Sequence, residues 1–206
     1  MFNLSEYFNG ITPFQEEQFN RLLSLYEYWN AQINVISRKD MDAFFIHHVL
    51  HALGIAKVHR FEAGASIIDV GTGGGFPGIP LAILFPEVRF HLVDSIGKKI
   101  KVVNAVVEGL NLKNVKTYHD RVENFNGKVD FMVCRAVAPM ETLVYWSKDK
   151  ISKKNNHSIP NGMLCLKGGN LTDELKNFPK AKIFPLSTYY KQAFFETKKV
   201  VYLPLS

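Results

Sequence analysis

The chain is predicted to fold as an α/β domain, a mostly parallel seven-stranded sheet with helices on both faces, preceded by a helical extension. Three features predict this. From Ser66 onward short apolar runs alternate with stretches of helical periodicity, the pattern of consecutive βαβ units. The first of those runs, Ile67-Ile68-Asp69-Val70, enters a turn holding five glycines between Gly71 and Gly78, where such a sheet makes its first crossover. Ahead of Ser66 the chain instead shows helix-start signals and three- and four-residue apolar spacing.

Residues 1–60 read as the extension, packed on the main domain. Thr12 is a capping residue, Pro13 suits the first helical position and Gln15 completes a capping box. Phe19, Leu22, Leu23, Tyr26, Trp29 and Ile33 then mark one buried face, and the aromatic members read as core rather than as platforms for stacked bases. A second helix is expected over about Met41–Lys57, with Phe44, Phe45, His48, Val49, Ala52 and Ile55 available for its inner face.

Residues 61–206 then supply the sheet domain. Strands are expected at Ser66–Val70, Arg89–Asp94, Val115–Tyr118, Val129–Cys134, Met163–Lys167, Lys182–Leu186 and Lys199–Leu203. Helices are expected at Ile79–Phe85, stopped by Pro86, at Gly97–Leu110, and around Met140–Ile151. No helical pattern separates the last two strands, which are expected to close the sheet as an antiparallel hairpin. Lys153–Gly162 reads as a surface loop.

Composition narrows the function. A chain of 206 residues that is 47% hydrophobic buries one sizeable core. Cys134 and Cys165 lack CxxC spacing and sit in apolar strands, which argues against a disulfide scaffold or zinc ribbon and for a reducing compartment. No run of eighteen apolar residues occurs, and the first ten residues carry no basic segment leading into an apolar one, so a soluble, cytoplasmic protein with no membrane partner is expected. The net charge of +6, with lysines grouped at Lys98-Lys99-Lys101, Lys148-Lys150-Lys153-Lys154 and Lys176-Lys180-Lys182, permits a polyanionic partner; solvated faces are the competing reading.

Glycines at this density imply positive φ or the close approach of another group, hence a ligand. Two spacings coexist: GxGxG at Gly71, Gly73 and Gly75, and GxGxxG, the nicotinamide dinucleotide pattern, at Gly73, Gly75 and Gly78. Asp69 would repel a pyrophosphate yet favour a sulfonium and an ammonium, and Pro77 removes an N–H that would help cradle phosphate. Both favour S-adenosylmethionine. Asp94, nineteen residues after Gly75, stands where an acid accepts hydrogen bonds from ribose hydroxyls, a feature shared with NAD enzymes. His47 and His51, four apart, could share a helix face as metal ligands, but HExxH and an evident third ligand are missing and no metal is expected.

The segments "DVGTGGGFPGIPLAI", "LVDSIGKKIKVVNAVVEGLNLKNV", "CRAVAPM" and "GMLCLKGG", in this order, resemble the bacterial glucose-inhibited division protein B family, and the likeness extends from about Trp29 to the end. The resemblance implies a Rossmann-like, class I S-adenosylmethionine-dependent methyltransferase that methylates N7 of one guanine of 16S ribosomal RNA near the decoding centre. It implies cofactor contacts from Gly71 and Phe76, a turn shaped by Gly73 and Gly75, an adenine lined by Val122 and Glu123, cofactor or substrate contact by Arg135, and a functional Lys167. Arg135 and Lys167 are the candidate catalytic residues; Asp69, Gly71, Gly73, Gly75, Phe76, Asp94, Val122, Glu123 and Arg135 are the candidate cofactor site. Where the family often has arginine-histidine and, further on, aspartate-serine, this chain has His47-His48 and His51-Ala52.

The residues after the fourth strand bear on the methyl acceptor. Exocyclic amino groups are usually methylated with an Asn/Asp-Pro-Pro-aromatic motif, where this chain reads Arg135-Ala136-Val137-Ala138-Pro139. Pyrimidine carbon-5 methylation needs a nucleophilic cysteine in a Pro-Cys or Thr-Cys setting, which neither cysteine has. Guanine N7 asks for little beyond alignment, whereas ribose methylation needs a base, an option Lys167 keeps open. An N7 enzyme would place Arg135 and Lys167 at the pocket mouth and Lys98, Lys99 and Lys101 against RNA backbone. The alternatives are a methyltransferase of this fold acting on another RNA position, a protein or a small molecule, and a non-catalytic RNA-binding module. A monomer suffices for any of them.

Overall fold

The computed structural model describes residues 3–206, so Met1 and Phe2 of the expected extension lie outside the described residues. Its centre is a seven-stranded sheet of β1 (Ser66–Val70), β2 (Arg89–Asp94), β3 (Val115–His119), β4 (Phe131–Arg135), β5 (Gly162–Gly168), β6 (Lys182–Pro185) and β7 (Lys198–Pro204). The spatial order is β3-β2-β1-β4-β5-β7-β6. The first five strands run parallel; β7 is antiparallel to both β5 and β6. The expected closing antiparallel hairpin is formed by β6 and β7, with β7 inserted between β5 and β6. Pairing through Val200 to Tyr202 on both sides buries this apolar strand, while β6 with its exposed Lys182 and Ile183 takes the edge.

The strands of the sheet's centre alternate between two apolar layers. Ile67, Phe90, Leu92, Phe131, Val133, Leu164 and Leu166 join one core, shared with the extension and with α4 (Gly78–Leu84) and α5 (Gly97–Gly109). Ile68, Val93, Met132, Cys134, Met163 and Cys165 join the other, under α6 (Met140–Ser147) and α7 (Thr172–Leu175). Two covered faces explain why these strands read as unbroken apolar runs. Cys134 and Cys165 are register partners inside the second core; hydrogen bonding between them and burial push the Cys134 thiol up.

The extension is stitched on by buried amides. α1 (Pro13–Asn30) starts with the expected capping box at Thr12 and Gln15. From its inner face Gln15 Nε2 donates to Ile83 O (2.8 Å) and Leu84 O (3.1 Å), and Gln18 Nε2 donates to Leu110 O (2.8 Å), so α1 satisfies carbonyls at the C-terminal ends of α4 and α5. The single helix expected over Met41–Lys57 is instead α2 (Arg38–Met41), a π-helical turn at Phe45–Leu50 and α3 (His51–Val58). A π turn breaks the three- and four-residue spacing on which the sequence reading depends. The helix expected to reach Ile151 ends at Ser147, and Val129 makes an isolated bridge with Ile151 instead of opening β4.

Gln18→Leu would leave the Leu110 carbonyl buried without a donor, at a cost of about 1–3 kcal/mol. The expected outcome is a lower urea midpoint at unchanged slope, with folding retained.

Candidate functional site

The glycine turn follows β1 because three of its residues need the left-handed region. Gly71, Gly73 and Gly75 have φ of +62, +59 and +98°. At Gly71 space is also decisive: a Cβ would lie 2.8 Å from Val137 Cγ1. The turn is braced from the extension, where Tyr26 Oη donates to Gly74 O (2.5 Å).

Asp69 is fully buried behind this turn. Its parity with Ile67 aims it at the α4 side of the sheet. There Oδ2 accepts from Thr72 Oγ1 (2.6 Å) and from Gly78 N–H (2.8 Å), the first residue of α4. Asp69, expected in the cofactor site, is thus absent from the cleft lining, and so is Gly75, beside which Ile79 and Tyr26 pack. The carboxylate sits where a pyrophosphate would receive the helix N-terminus, which sets the site apart from a dinucleotide cradle.

In front of the turn opens a cleft of about 490 Å³, within the range of small-molecule sites. Its walls include Gly71, Gly73 and Phe76 from the turn, Asp94 at the end of β2, Lys99 on α5, Val122 and Glu123 after β3, and Arg135 at the end of β4. Asp94 is held at both oxygens, Oδ2 by Gly73 N–H (2.9 Å) and Oδ1 by Ile96 N–H (2.9 Å), each oxygen keeping a lone pair. A fixed acceptor pair, bare glycine backbone and the apolar surface of Val122 fit the ribose, amino-acid end and adenine of S-adenosylmethionine.

Arg135 leaves β4 on the face of Phe131 and Val133, toward the π turn. Its guanidinium donates to His47 O (3.3 Å) and His48 Nδ1 (3.1 Å) and lies over the Phe76 ring, 5.1 Å from the centroid. Phe76 is only 3% exposed, enclosed by this cation and by the rings of Tyr26, Phe44 and His48. Burial and the neighbouring Arg135 charge hold His48 down to about 4, a neutral acceptor for the guanidinium. His47 donates through Nδ1 to Asp40 (3.0 Å) and stacks on Phe194, while His51 packs edge-on against Phe194 and Phe195, held down to about 3 by burial. His47 and His51 thus belong to an aromatic cluster around Phe194, and His48 to the one around Phe76.

Lys167 does not join Arg135. Arg135 pairs with Leu166 in the β4–β5 register, so Lys167 leaves the opposite face, toward α6 and α7. It lines a neighbouring recess, bonded to Glu174 and to Ala138 O. Lys99 lines the cleft, while Lys98 and Lys101 are exposed on the first turns of α5. Sequence reasoning missed Val35 and Trp146 in the cleft wall, which come from elements distant in sequence, and passed over Ser95 and Ile96, which follow Asp94 inside a family segment.

A family model described as rRNA small subunit methyltransferase G matches residues 15–200. The ribosomal RNA small subunit methyltransferase G of Christiangramia forsetii is 59% identical over 202 residues, covering 98% of this chain and 96% of the relative. That of Flavobacterium psychrophilum is 58% identical over 205 residues, covering 100% and 98%. The crystal structure of precorrin-6y C5,15-methyltransferase from Geobacter metallireducens superposes with a TM-score of 0.54 at 11% identity, over 84% of this chain and 92% of that one, a likeness of fold alone.

Desolvation pushes the Asp69 carboxyl up to about 7, against the hydrogen bonds of Thr72 and Gly78 and the charge of Arg135. Between the usual carboxylate range and about 7 the folded chain holds a proton that the unfolded chain has lost, so this group's contribution to stability falls as pH rises. Asp69→Asn keeps an acceptor for both donors and removes the titration. Denaturation at pH 5 and pH 8 is expected to show wild type losing stability relative to Asp69→Asn at the higher pH; a constant difference would contradict the assignment.

Proposed function

The chain belongs to the rRNA small subunit methyltransferase G family, and from that membership we propose that it transfers the methyl group of S-adenosylmethionine to N7 of one guanine of 16S ribosomal RNA near the decoding centre. The observation that carries the reading is the cleft: an acid fixed at both oxygens faces bare glycine backbone, while the helix N-terminus that would bind a pyrophosphate is taken by Asp69.

In this reading Asp94 accepts hydrogen bonds from the ribose hydroxyls, Val122 and Glu123 border the adenine, and Gly71 and Gly73 let the amino-acid end approach the backbone. When bound, S-adenosylmethionine supplies an electrophilic methyl group on a sulfonium. Guanine N7 offers a lone pair and no proton, so none of the chain's residues has to act as a general base. The residues' work is alignment and exclusion of water. Arg135, clamped by the π turn and Phe76, gives the mouth of the cleft a cation of fixed position for the RNA.

Lys98, Lys99 and Lys101 support a polyanionic substrate. They occupy the first turns of α5, where the helix dipole disfavours cations and no acidic residue offsets them. Phosphates lying across this turn would relieve that cost. Ile96 beside them is 40% exposed, an apolar contact for a base. Residues 1–60 act as part of the cleft wall through Val35 and as a platform for RNA, and residues 61–206 as the transferase domain. The partner is the small ribosomal subunit or its RNA, and the working form is a cytoplasmic monomer. No helix among the described residues is long and apolar enough to cross a membrane.

Labelled S-adenosylmethionine, incubated with small subunits lacking native modifications and with their deproteinised RNA, is expected to leave label in 7-methylguanosine at one site by nucleoside mass spectrometry. Label in another nucleoside, or none, would overturn the proposal. Asp94→Ala removes charge-assisted hydrogen bonds and is expected to weaken cofactor binding roughly 10- to 100-fold by calorimetry. Arg135→Ala is expected to lower turnover or cofactor affinity at least tenfold on the order of a lost charge-assisted contact; if both stay intact, its role fails.

A further inference from the structure

Beside the cofactor cleft lies a second recess of about 650 Å³, lined by Ala136, Val137, Pro139, Lys167, Asp173 and Glu174. Ala136 and Val137 line both spaces, so whatever occupies the recess borders the cofactor. Ala136 holds φ at +52°, a conformation that costs a non-glycine residue energy and that collects at functional sites.

The recess contains a clamped ion pair. Lys167 Nζ donates to Ala138 O (2.7 Å) and to Glu174 Oε1 (2.7 Å), and Met140 N–H donates to the same Oε1 (2.8 Å). Lys167 is 10% and Glu174 25% exposed at the side chain. An ammonium has three N–H groups, so one of Lys167 is left. Glu174 Oε1 is filled, and Oε2 has no hydrogen-bond partner among the described residues. The pair therefore presents one donor next to one anionic acceptor, on groups fixed by β5 and by the start of α6. An ion pair this withdrawn from water contributes little to stability by itself.

The Watson–Crick edge of guanine offers the complementary order: the acceptor O6 beside the donors N1–H and N2–H₂. Adenine reverses it, with a donor at N6 and an acceptor at N1. Building on the N7 reading above, we propose that the Lys167–Glu174 pair recognises the Watson–Crick edge of the target guanine, Lys167 donating to O6 and Glu174 Oε2 accepting from N1–H and N2–H₂. Glu174 is then the specificity-determining residue. Gripped along that edge, the base keeps N7 free.

The test compares small subunits reconstituted with ligated RNA carrying guanosine, inosine or 2-aminopurine at the target position. Inosine lacks the N2 amino group; 2-aminopurine lacks O6 and N1–H. Wild type is expected to favour guanosine over either by about tenfold or more in kcat/KM, the scale of a lost base-edge contact. In Glu174→Gln the amide oxygen stays with Met140 and Lys167, the amide N–H₂ faces the base, and the guanosine-to-inosine ratio is expected to fall toward one. Equal loss on both substrates with an unchanged ratio would assign Glu174 a purely structural role and overturn the inference alone. Wild type that methylates guanosine and inosine equally would overturn it without recourse to the variant. Absence of any N7 methylation by wild type would overturn the underlying reading, and this one with it.

Discussion

At the end of the first strand a carboxylate with no access to water accepts hydrogen bonds from Thr72 and from Gly78 N–H, and the geometry of the site follows from that bond pair. By tying β1 to the first residue of α4 across nine positions, Asp69 closes the glycine turn and leaves its backbone facing outward. Gly73 N–H is thereby free to hold Asp94 at the end of the next strand, and Asp94 in turn receives Ile96 N–H at the start of α5. One buried acid organises the turn and, through it, the acid that meets the cleft. Closing this circuit with a carboxylate also removes the helix N-terminus from use by a phosphate.

The cost of burying that acid is reduced only in part, by the Thr72 and Gly78 hydrogen bonds and by Arg135, whose guanidinium lowers the Asp69 carboxyl while Asp69 supports the cation. Arg135 is fixed by groups that come from the extension, a carbonyl and a neutral imidazole of one π turn, with the Phe76 face beneath it. The extension is thus a structural part of the site. Its aromatic junction, where Phe44, Tyr26, Phe76 and His48 meet, joins the helices to the glycine turn.

Strand parity divides the two basic residues expected to work together. Arg135 and Lys167 lie one register position apart on adjacent strands, and a single step along a strand exchanges faces. Arg135 borders the cofactor cleft, and Lys167 borders the recess beyond Ala136 and Val137. Two cations of opposite orientation at the end of one sheet suit a reaction between two bound groups better than a double grip on one.

Much of this was legible in the sequence. The strands Ser66–Val70 and Arg89–Asp94, the capping box at Thr12 and the helix from Gly97 follow from local patterns, since capping chemistry, apolar runs and glycine turns act over a few residues. The family signatures are equally local, four short segments in order. What remained for the tertiary structure was whatever depends on partners far apart in the chain: the insertion of β7 between β5 and β6, the π turn that brings His47 and His48 to Arg135, and the pairing of Lys167 with Glu174. The direction of Asp69 belongs with these, because its residue type is compatible with either a ligand or a helix cap, and only the packing of α4 against β1 decides which donor it meets. Sequence by itself determined the elements and the family, through interactions among neighbours; the three-dimensional packing decided which side chains share a cavity, because that is set by register and by contacts no short segment contains.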